Sequence, residues 1–250
     1  MTEENPHQNG TKSQKSEPIF TLSPVLTGLI GVIAAIHLAQ TLVLDEEGRT
    51  FVWLWFGFIP FRLLSFDTMP SELWPLLWTP VTHAFLHSGW DHLILNIAWL
   101  AIFGTPVVGR YGAQALIALF VASAVAGALI FAASTWGNLH VLVGASGGIA
   151  GLMGAAVRFM FQPVLFVRHP ETGEAVPVGR KLATIAEVFQ NPRSRALTVV
   201  WLLLNLAMPV LPLVFGQDWQ IAWEAHLGGF VFGFLVVPLL EQRQETQDPF

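Results

Sequence analysis

Long apolar runs alternate with short polar breaks along most of this chain. The first run extends roughly from Pro24 to Leu44. At about 1.5 Å per residue it is long enough to cross about 30 Å of hydrocarbon, and a first transmembrane helix is predicted there. Asp45-Glu46-Glu47-Gly48-Arg49 closes it. The stretch from Phe51 to Arg62 is apolar but short, and is interrupted by Gly57, Pro60 and Arg62. It is rich in Trp and Phe, which favour the headgroup level, so an interfacial loop is predicted, with Pro70, Pro75 and Pro80 carrying an irregular path onward. After the Ser88-Gly89 break a second helix is predicted from Trp90 to about Val108, with Asp91 in its first turn, where the helix dipole favours a carboxylate. Gly109 to Gly112 reads as a turn, Ala113 to about Ser134 as a third helix, and Thr135 to Val143 as a loop. Ser146 to about Phe161 reads as a fourth helix, short for a full span, so its start is expected below the membrane surface. Arg168 to Arg195 is the longest polar loop, with an amphipathic surface helix expected from Lys181 to Gln190. A fifth helix is predicted from Leu197 to Phe215, kinked by Pro209 and Pro212. A turn at Gly216 to Gln220 leads to a sixth helix from Ile221 to Leu240.

The pattern therefore predicts an all-α, polytopic membrane bundle of six transmembrane helices over residues 19–240. Residues 1–18 read as a disordered polar tail and 241–250 as a second polar tail. No small-residue cleavage site follows the first apolar run, so the N-terminal segment does not read as a signal peptide.

Composition agrees with this pattern. Hydrophobic residues make up 53% of the chain and charged residues 12%, against about 25% charged in an ordinary soluble domain. The implied solvent is largely lipid. Cysteine is absent, which excludes disulfides and thiol chemistry. The net charge of −5 comes with no basic patch or nucleic-acid motif, so membrane lipid is the expected partner and nucleic acid is not. Six spans put both termini on one side. Ten of the twelve Lys and Arg residues fall there: Lys12, Lys15, Arg110, Arg158, Arg168, Arg180, Lys181, Arg193, Arg195 and Arg243. Only Arg49 and Arg62 fall on the other, and the positive-inside rule makes the first side cytoplasmic. Any polytopic membrane protein, transporters foremost, shares such a composition, so function has to be read from the polar residues inside the spans.

Four of these agree in depth. His92 and Asn96 lie near the start of a helix that begins at the outer face, His226 lies near the start of another, and Ser146 opens the short fourth helix after an outer-side loop. Polar groups at such depth are costly, face the bundle interior and mark function by default. His92 and Asn96 are four residues apart and share a helix face. Gly229 and Gly233 follow His226, and Gly147, Gly151 and Gly154 follow Ser146, at spacings that let two helix backbones approach closely. Packing of the fourth helix on the sixth through Gly147, Gly151, Gly229 and Gly233 would bring Ser146 Oγ within hydrogen-bond reach of His226, as a nucleophile and its base require. Each feature has a plainer explanation: serine and glycine as small packing residues, Asn96 as interhelical glue.

Two other motifs overlap these residues. Gly144-Ala145-Ser146-Gly147-Gly148 satisfies G-x-S-x-G, the nucleophile elbow of soluble α/β-hydrolases, but that motif needs a strand before it and a soluble sheet around it. His83, His87 and His92 form a cluster that suggests a metal site, yet H-E-x-x-H is absent and His83 and His87 precede the Ser88-Gly89 break.

Taken together, Gly144-Ala145-Ser146-Gly147, Ala225-His226-Leu227-Gly228-Gly229 continuing to Gly233, and His83-Ala84-Phe85-Leu86-His87 leading to His92 and Asn96 resemble the rhomboid intramembrane serine proteases, over about residues 50 to 240. The resemblance implies a bacterial-type, six-helix membrane endopeptidase, in the bacterial inner (plasma) membrane with both termini cytoplasmic, that uses no cofactor and no metal. It would cleave single-span membrane proteins near their outer ends. It implies Ser146 as nucleophile and His226 as general base, without a third acid, and an oxyanion hole from the Ser146 backbone N–H with the side chains of His92 and Asn96. Asp91 belongs to the outer surface and is no hidden triad acid. The fifth helix, with Pro209 and Pro212, and the following turn with Trp219 form a candidate gate. Two departures stand out. Many members of the family carry an aromatic residue one turn after the nucleophile, stacked on the catalytic histidine; here Ala150 stands there, leaving Trp223 or Phe230 as substitutes. Many also carry a Trp-Arg pair in the first external loop; here Trp78 is followed by Thr79. A rhomboid-like binder that escorts membrane clients without cutting them is the non-enzymatic alternative.

Overall fold

The computed structural model describes residues 22–65, 67, 69–169, 172–210 and 221–241. Helix α1, Pro24–Leu42, starts at a Ser23 cap whose hydroxyl accepts from the Leu26 N–H, with Pro24 in the first turn. The region from Asp45 onward departs from the predicted interfacial loop. Asp45 caps a helix, α2 (Glu46–Phe56), by accepting from the Gly48 N–H, and the acidic Glu46 and Glu47 occupy its first turn. Phe51, Leu54, Trp55 and Phe56 stay exposed on it. Short 3-10 turns at Pro60–Ser65 and Pro70–Leu77 and a one-turn helix α3, Thr79–Thr82, complete the connection.

Helix α4, Trp90–Ser134, is two helices folded at Gly112, whose φ of 79° and ψ of 179° are non-helical. Glycine alone reaches that φ without a Cβ clash. The predicted four-residue turn is thus a single-residue hinge. The two arms run back along each other, since both His92 of the first and Ala124 of the second border the Gly144–Gly147 segment. The Gly112 end is tied down by ion pairing: Arg110 and Tyr111 both bond Glu241 Oε1, and Arg110 also donates to the Arg180 carbonyl.

Helix α5, Ser146–Val157, is shorter than predicted and lies at the centre of the bundle, every residue from Gly147 to Val157 buried. It ends at Arg158, a buried guanidinium donating to the carbonyls of Ala183 and Phe234. The positive-inside count therefore includes one arginine whose place is in the packing rather than in a loop. An antiparallel hairpin follows, β1 (Val164–Arg168) with β2 (Ala175–Arg180), exposed on both faces; β2 lies inside the polar loop predicted from Arg168, while β1 runs up to its start. A capping box of Thr184 and Glu187 starts α6, Ile185–Gln190. Helix α7, Pro192–Ala207, begins five residues before the predicted Leu197, because Asn191 caps it and Pro192 opens it. A 3-10 turn at Met208–Val210, containing Pro209, follows. Helix α8, Trp223–Val236, closes the bundle.

Among the described residues, three helical segments are long and apolar enough to cross a membrane: Pro24–Leu42, the folded Trp90–Ser134, and Trp223–Glu241. The α5–α8 interface is a close backbone contact. A Cβ on Gly229 would lie 2.0 Å from the Gly147 carbonyl oxygen, and one on Gly233 would lie 2.0 Å from that of Gly151. The helices touch backbone to backbone, as small residues in register allow.

Candidate active site

Ser146 is the first residue of α5, and the approach to it is abrupt. Leu142 pairs with Phe58 in an isolated bridge, and the Gly144 N–H donates to the His83 carbonyl. Gly144 then takes a φ of +126°, which turns the chain into the helix within two residues. The opening N–H groups of an α-helix have no intrahelical acceptor, so the start of α5 offers donors and a positive dipole end beside the Ser146 side chain.

His226 comes from the first turn of α8. The glycine contacts a turn further along hold the two helix backbones so close that the side chains above them meet. Ser146 Oγ lies 2.8 Å from His226 Nε2. On the other side of the ring, Nδ1 lies 2.9 Å from Asn205 Oδ1 on α7. The Asn205 Nδ2 in turn donates to the Trp223 carbonyl at 2.9 Å.

The first arm of α4 supplies the facing wall. A Cβ at Gly144 would lie 2.8 Å from both Cε1 and Nε2 of His92, so the His92 ring borders the turn into Ser146. Ser88 Oγ lies 3.0 Å from His92 Nδ1; a hydroxyl donating there leaves Nε2 as the N–H side. Asn96, buried one turn further along, donates from Nδ2 to the His92 carbonyl at 2.8 Å and keeps a second N–H. Ser146, His226 and Asn96 all line one cavity of about 200 Å³, walled by Trp99 and Phe103 of α4 and by Trp201, Leu204 and Asn205 of α7.

The remaining sequence-level candidates fall as follows. Ala150 lines the same cavity but carries no ring. Neither substitute named for it reaches the imidazole: Phe230 stacks on Trp201 and Phe234, and Trp223 offers its carbonyl to Asn205. His83 is buried and its Nδ1 bonds the Thr79 carbonyl at 3.0 Å. His87 packs edge-on against His92, ring centroids 5.0 Å apart. Among the described residues no group of three or more His, Asp or Glu side chains is arranged to hold a metal ion. Of the gate residues, Pro209 lies in the turn after α7, while Pro212 and Trp219 lie outside the described residues. Asn205 was not singled out from the sequence. The signal was present, a lone amide in Leu202-Leu203-Leu204-Asn205-Leu206, where an intramembrane polar residue calls for a partner.

Known proteins resemble this chain in sequence over part of its length. RHOMBOID-like protein 5 of Arabidopsis thaliana is 27% identical over 160 residues, 64% of this chain and 42% of that protein. RHOMBOID-like protein 1 of the same plant is 27% identical over 161 residues, 64% of this chain and 33% of that protein. Rhomboid protease GlpG of Yersinia pestis is 29% identical over 161 residues, 64% of this chain and 47% of that protein. The matched segment thus spans less than half the length of each of these relatives. The Rhomboid domain model itself matches residues 75–243, from the turn before α3 to beyond the end of α8, which is more than half of this sequence, and the chain therefore belongs to the rhomboid family.

Proposed function

We propose that this integral membrane protein is a serine endopeptidase that cuts transmembrane substrates near the outer membrane face. The observation that carries the reading is the 2.8 Å contact between Ser146 Oγ and His226 Nε2, inside a bundle with three described helical segments long and apolar enough to span lipid. In this reading His226 Nε2 takes the hydroxyl proton as Ser146 Oγ attacks the scissile carbonyl carbon. The developing oxyanion is met by the Ser146 backbone N–H and the side chains of His92 and Asn96. The imidazolium then gives its proton to the leaving amine, and an acyl ester remains on Ser146. Water, deprotonated by His226, attacks that ester and frees Ser146. Oxyanion donors in a low-dielectric site are each worth about 100- to 1000-fold in turnover.

The substrate would enter between the first arm of α4 and α7, where the cavity walls are Trp99 and Phe103 on one side and Trp201 and Leu204 on the other. Pro209, Pro212 and Trp219, at the end of α7 and beyond it, are the candidate gate. A helical substrate buries its peptide bonds, so it has to unwind locally, and Gly or Pro near the cut would help. Six spans are proposed: α1, the two arms of α4, α5, α7 and α8. With the arginine-rich Gly112 end cytoplasmic, the dyad faces outward, in a bacterial inner membrane.

The test uses purified protein in detergent with a single-span substrate. Ser146→Ala and His226→Ala should each abolish cleavage, and a fluorophosphonate should label the native protein at Ser146 only. Cleavage retained in either variant would sink the dyad. Substrate binding without cleavage by the native protein would instead identify a non-catalytic escort of membrane clients.

A further inference from the structure

We propose that Asn205 positions His226 for base catalysis, in place of the aromatic ring that Ala150 cannot supply. The inference rests on the Ser146–His226 reading and adds a third member to it. Asn205 is 4% exposed, and both ends of its amide are engaged. Its Nδ2 donates to the Trp223 carbonyl and its Oδ1 faces His226 Nδ1, each at 2.9 Å.

The first bond settles the second. A backbone carbonyl only accepts, so the amide nitrogen faces Trp223 and the amide oxygen faces the imidazole. An amide oxygen also only accepts, so Nδ1 carries a hydrogen. A neutral imidazole has one N–H. Nε2 is therefore bare, and Nε2 is the atom that lies 2.8 Å from Ser146 Oγ. Asn205 thus selects the one tautomer able to accept the serine proton. When Nε2 takes that proton, the Nδ1–H still donates to Oδ1, and no proton passes to Asn205. The two bonds also fix the ring plane, as the third group in nucleophile–base pairs generally does. No other described side chain hydrogen-bonds the His226 ring apart from Ser146 and Asn205.

Two variants separate positioning from mere packing. Asn205→Leu removes both bonds at similar size. Asn205→Asp keeps an oxygen facing His226 but loses the donor to Trp223. With the single-span substrate in detergent, Asn205→Leu should lower kcat about 10- to 100-fold while KM stays within about twofold, the mark of an interaction felt in the transition state. Asn205→Asp should keep kcat within about fivefold of the native value, on the same principle, because the tautomer is still selected. Fluorophosphonate labelling rates at Ser146 should follow kcat. The ¹⁵N-histidine spectrum of the native protein should show His226 as the Nδ1–H tautomer. Equal losses in the two variants would mean that Asn205 acts through Trp223, and would overturn the proposal. So would a native kcat in Asn205→Leu. If Asn205→Leu does not fold, the spectrum decides: an Nε2–H tautomer in native protein overturns the proposal. A dead Ser146→Ala beside a fully active Asn205→Leu refutes the positioning role alone, whereas an active Ser146→Ala refutes the dyad.

Discussion

Replacing Gly229 by alanine tests the contact that brings the two halves of the site together. The added Cβ would sit 2.0 Å from the Gly147 carbonyl oxygen, 2.8 Å from its carbonyl carbon and 3.3 Å from its Cα. None of these atoms is the far end of a flexible side chain; all three are backbone of a fully buried helix. To reach an ordinary contact of 3.4 Å or more, α5 and α8 have to part by more than an ångström at that point. Overpacking a close-packed core costs about 1–3 kcal/mol, and a backbone-to-backbone clash belongs at the upper end of that range. The separation falls beside Ser146 and one turn beyond His226, so it opens the 2.8 Å Oγ–Nε2 contact. A misplacement of about 1 Å in reacting groups costs on the order of 100-fold in rate. Gly31→Ala is the control. It lies in α1, and nothing stands within 4 Å of its would-be Cβ. A glycine-to-alanine change in an unobstructed helix is stabilising by up to about 1 kcal/mol. Thermal unfolding in detergent, followed by circular dichroism, and cleavage of the single-span substrate read the two effects. The expected result is a lower melting temperature and about 100-fold slower cleavage for Gly229→Ala, with both unchanged or improved for Gly31→Ala. A Gly229→Ala protein that melts and cuts like the native one would refute the reasoning. So would equal losses in both variants, which would point to helix flexibility instead of close approach.

Gly144→Ala should slow cleavage about 10- to 100-fold with little loss of substrate binding, since an oxyanion donor is disturbed: the residue has a φ of +126° and its Cβ would press on the His92 ring at 2.8 Å. Unchanged kcat would separate His92 from that turn. On the surface, the Lys181 ammonium, followed by the Thr184 backbone N–H, holds the Glu187 carboxyl down from 4.5 to about 2. The folded value lies below the unfolded one, so the contribution is fully present above about pH 4.5 and is lost as pH falls toward about 2. Protection factors of the amides at the start of α6, measured against the intrinsic exchange rate at each pH, should therefore fall as pH drops over that window in the native protein and stay level in Glu187→Gln; a fall in both would assign the change elsewhere.

The apolar helices were legible wherever apolar length alone sets an element: α1, the two arms of α4, the short α5 and α8 lie close to where the hydrophobic pattern puts them. The errors cluster where capping chemistry overrides hydropathy. Asp45 before two glutamates and Asn191 before Pro192 are both helix starts. Reading the first stretch as a loop, and starting the second helix late, ignored them, whereas the surface helix expected from Lys181 to Gln190 is present as α6. The hairpin was hidden for a related reason. Val164 to Val167 and Ala175 to Val178 alternate no polar face, because both faces of the ribbon stay exposed, so the usual period-2 signal is missing. At the site, the residues given by spacing on one helix, such as His92 with Asn96, were readable. Asn205 was not, since its partner is set by how α7 leans on α8, a tertiary fact with no local period.

The two sides of His226 are held by different kinds of contact, and this has a consequence for access. Toward Ser146, the distance is fixed by main chain against main chain: Gly229 on Gly147, Gly233 on Gly151. Such an interface has no side-chain rotamers through which to yield. Toward α7, the contacts described are side-chain contacts, the Asn205 amide and the Trp201 ring stacked on Phe230 at 4.7 Å. Rotamers there can change without moving a backbone. A substrate wedging between the first arm of α4 and α7 would therefore displace α7 before it disturbed the α5–α8 pair. The nucleophile–base distance would survive entry, while the Asn205 bond would stretch as α7 moved outward. On this reasoning His226 keeps its reach to Ser146 throughout, but its tautomer is locked only when α7 returns against a seated substrate. Cross-linking α7 to the first arm of α4 through engineered cysteines at Leu204 and Trp99, in a chain with no native cysteine, should block cleavage of the transmembrane substrate yet leave fluorophosphonate labelling of Ser146 intact. Loss of both together would mean that the dyad itself depends on α7 movement, contrary to the backbone contacts that hold it.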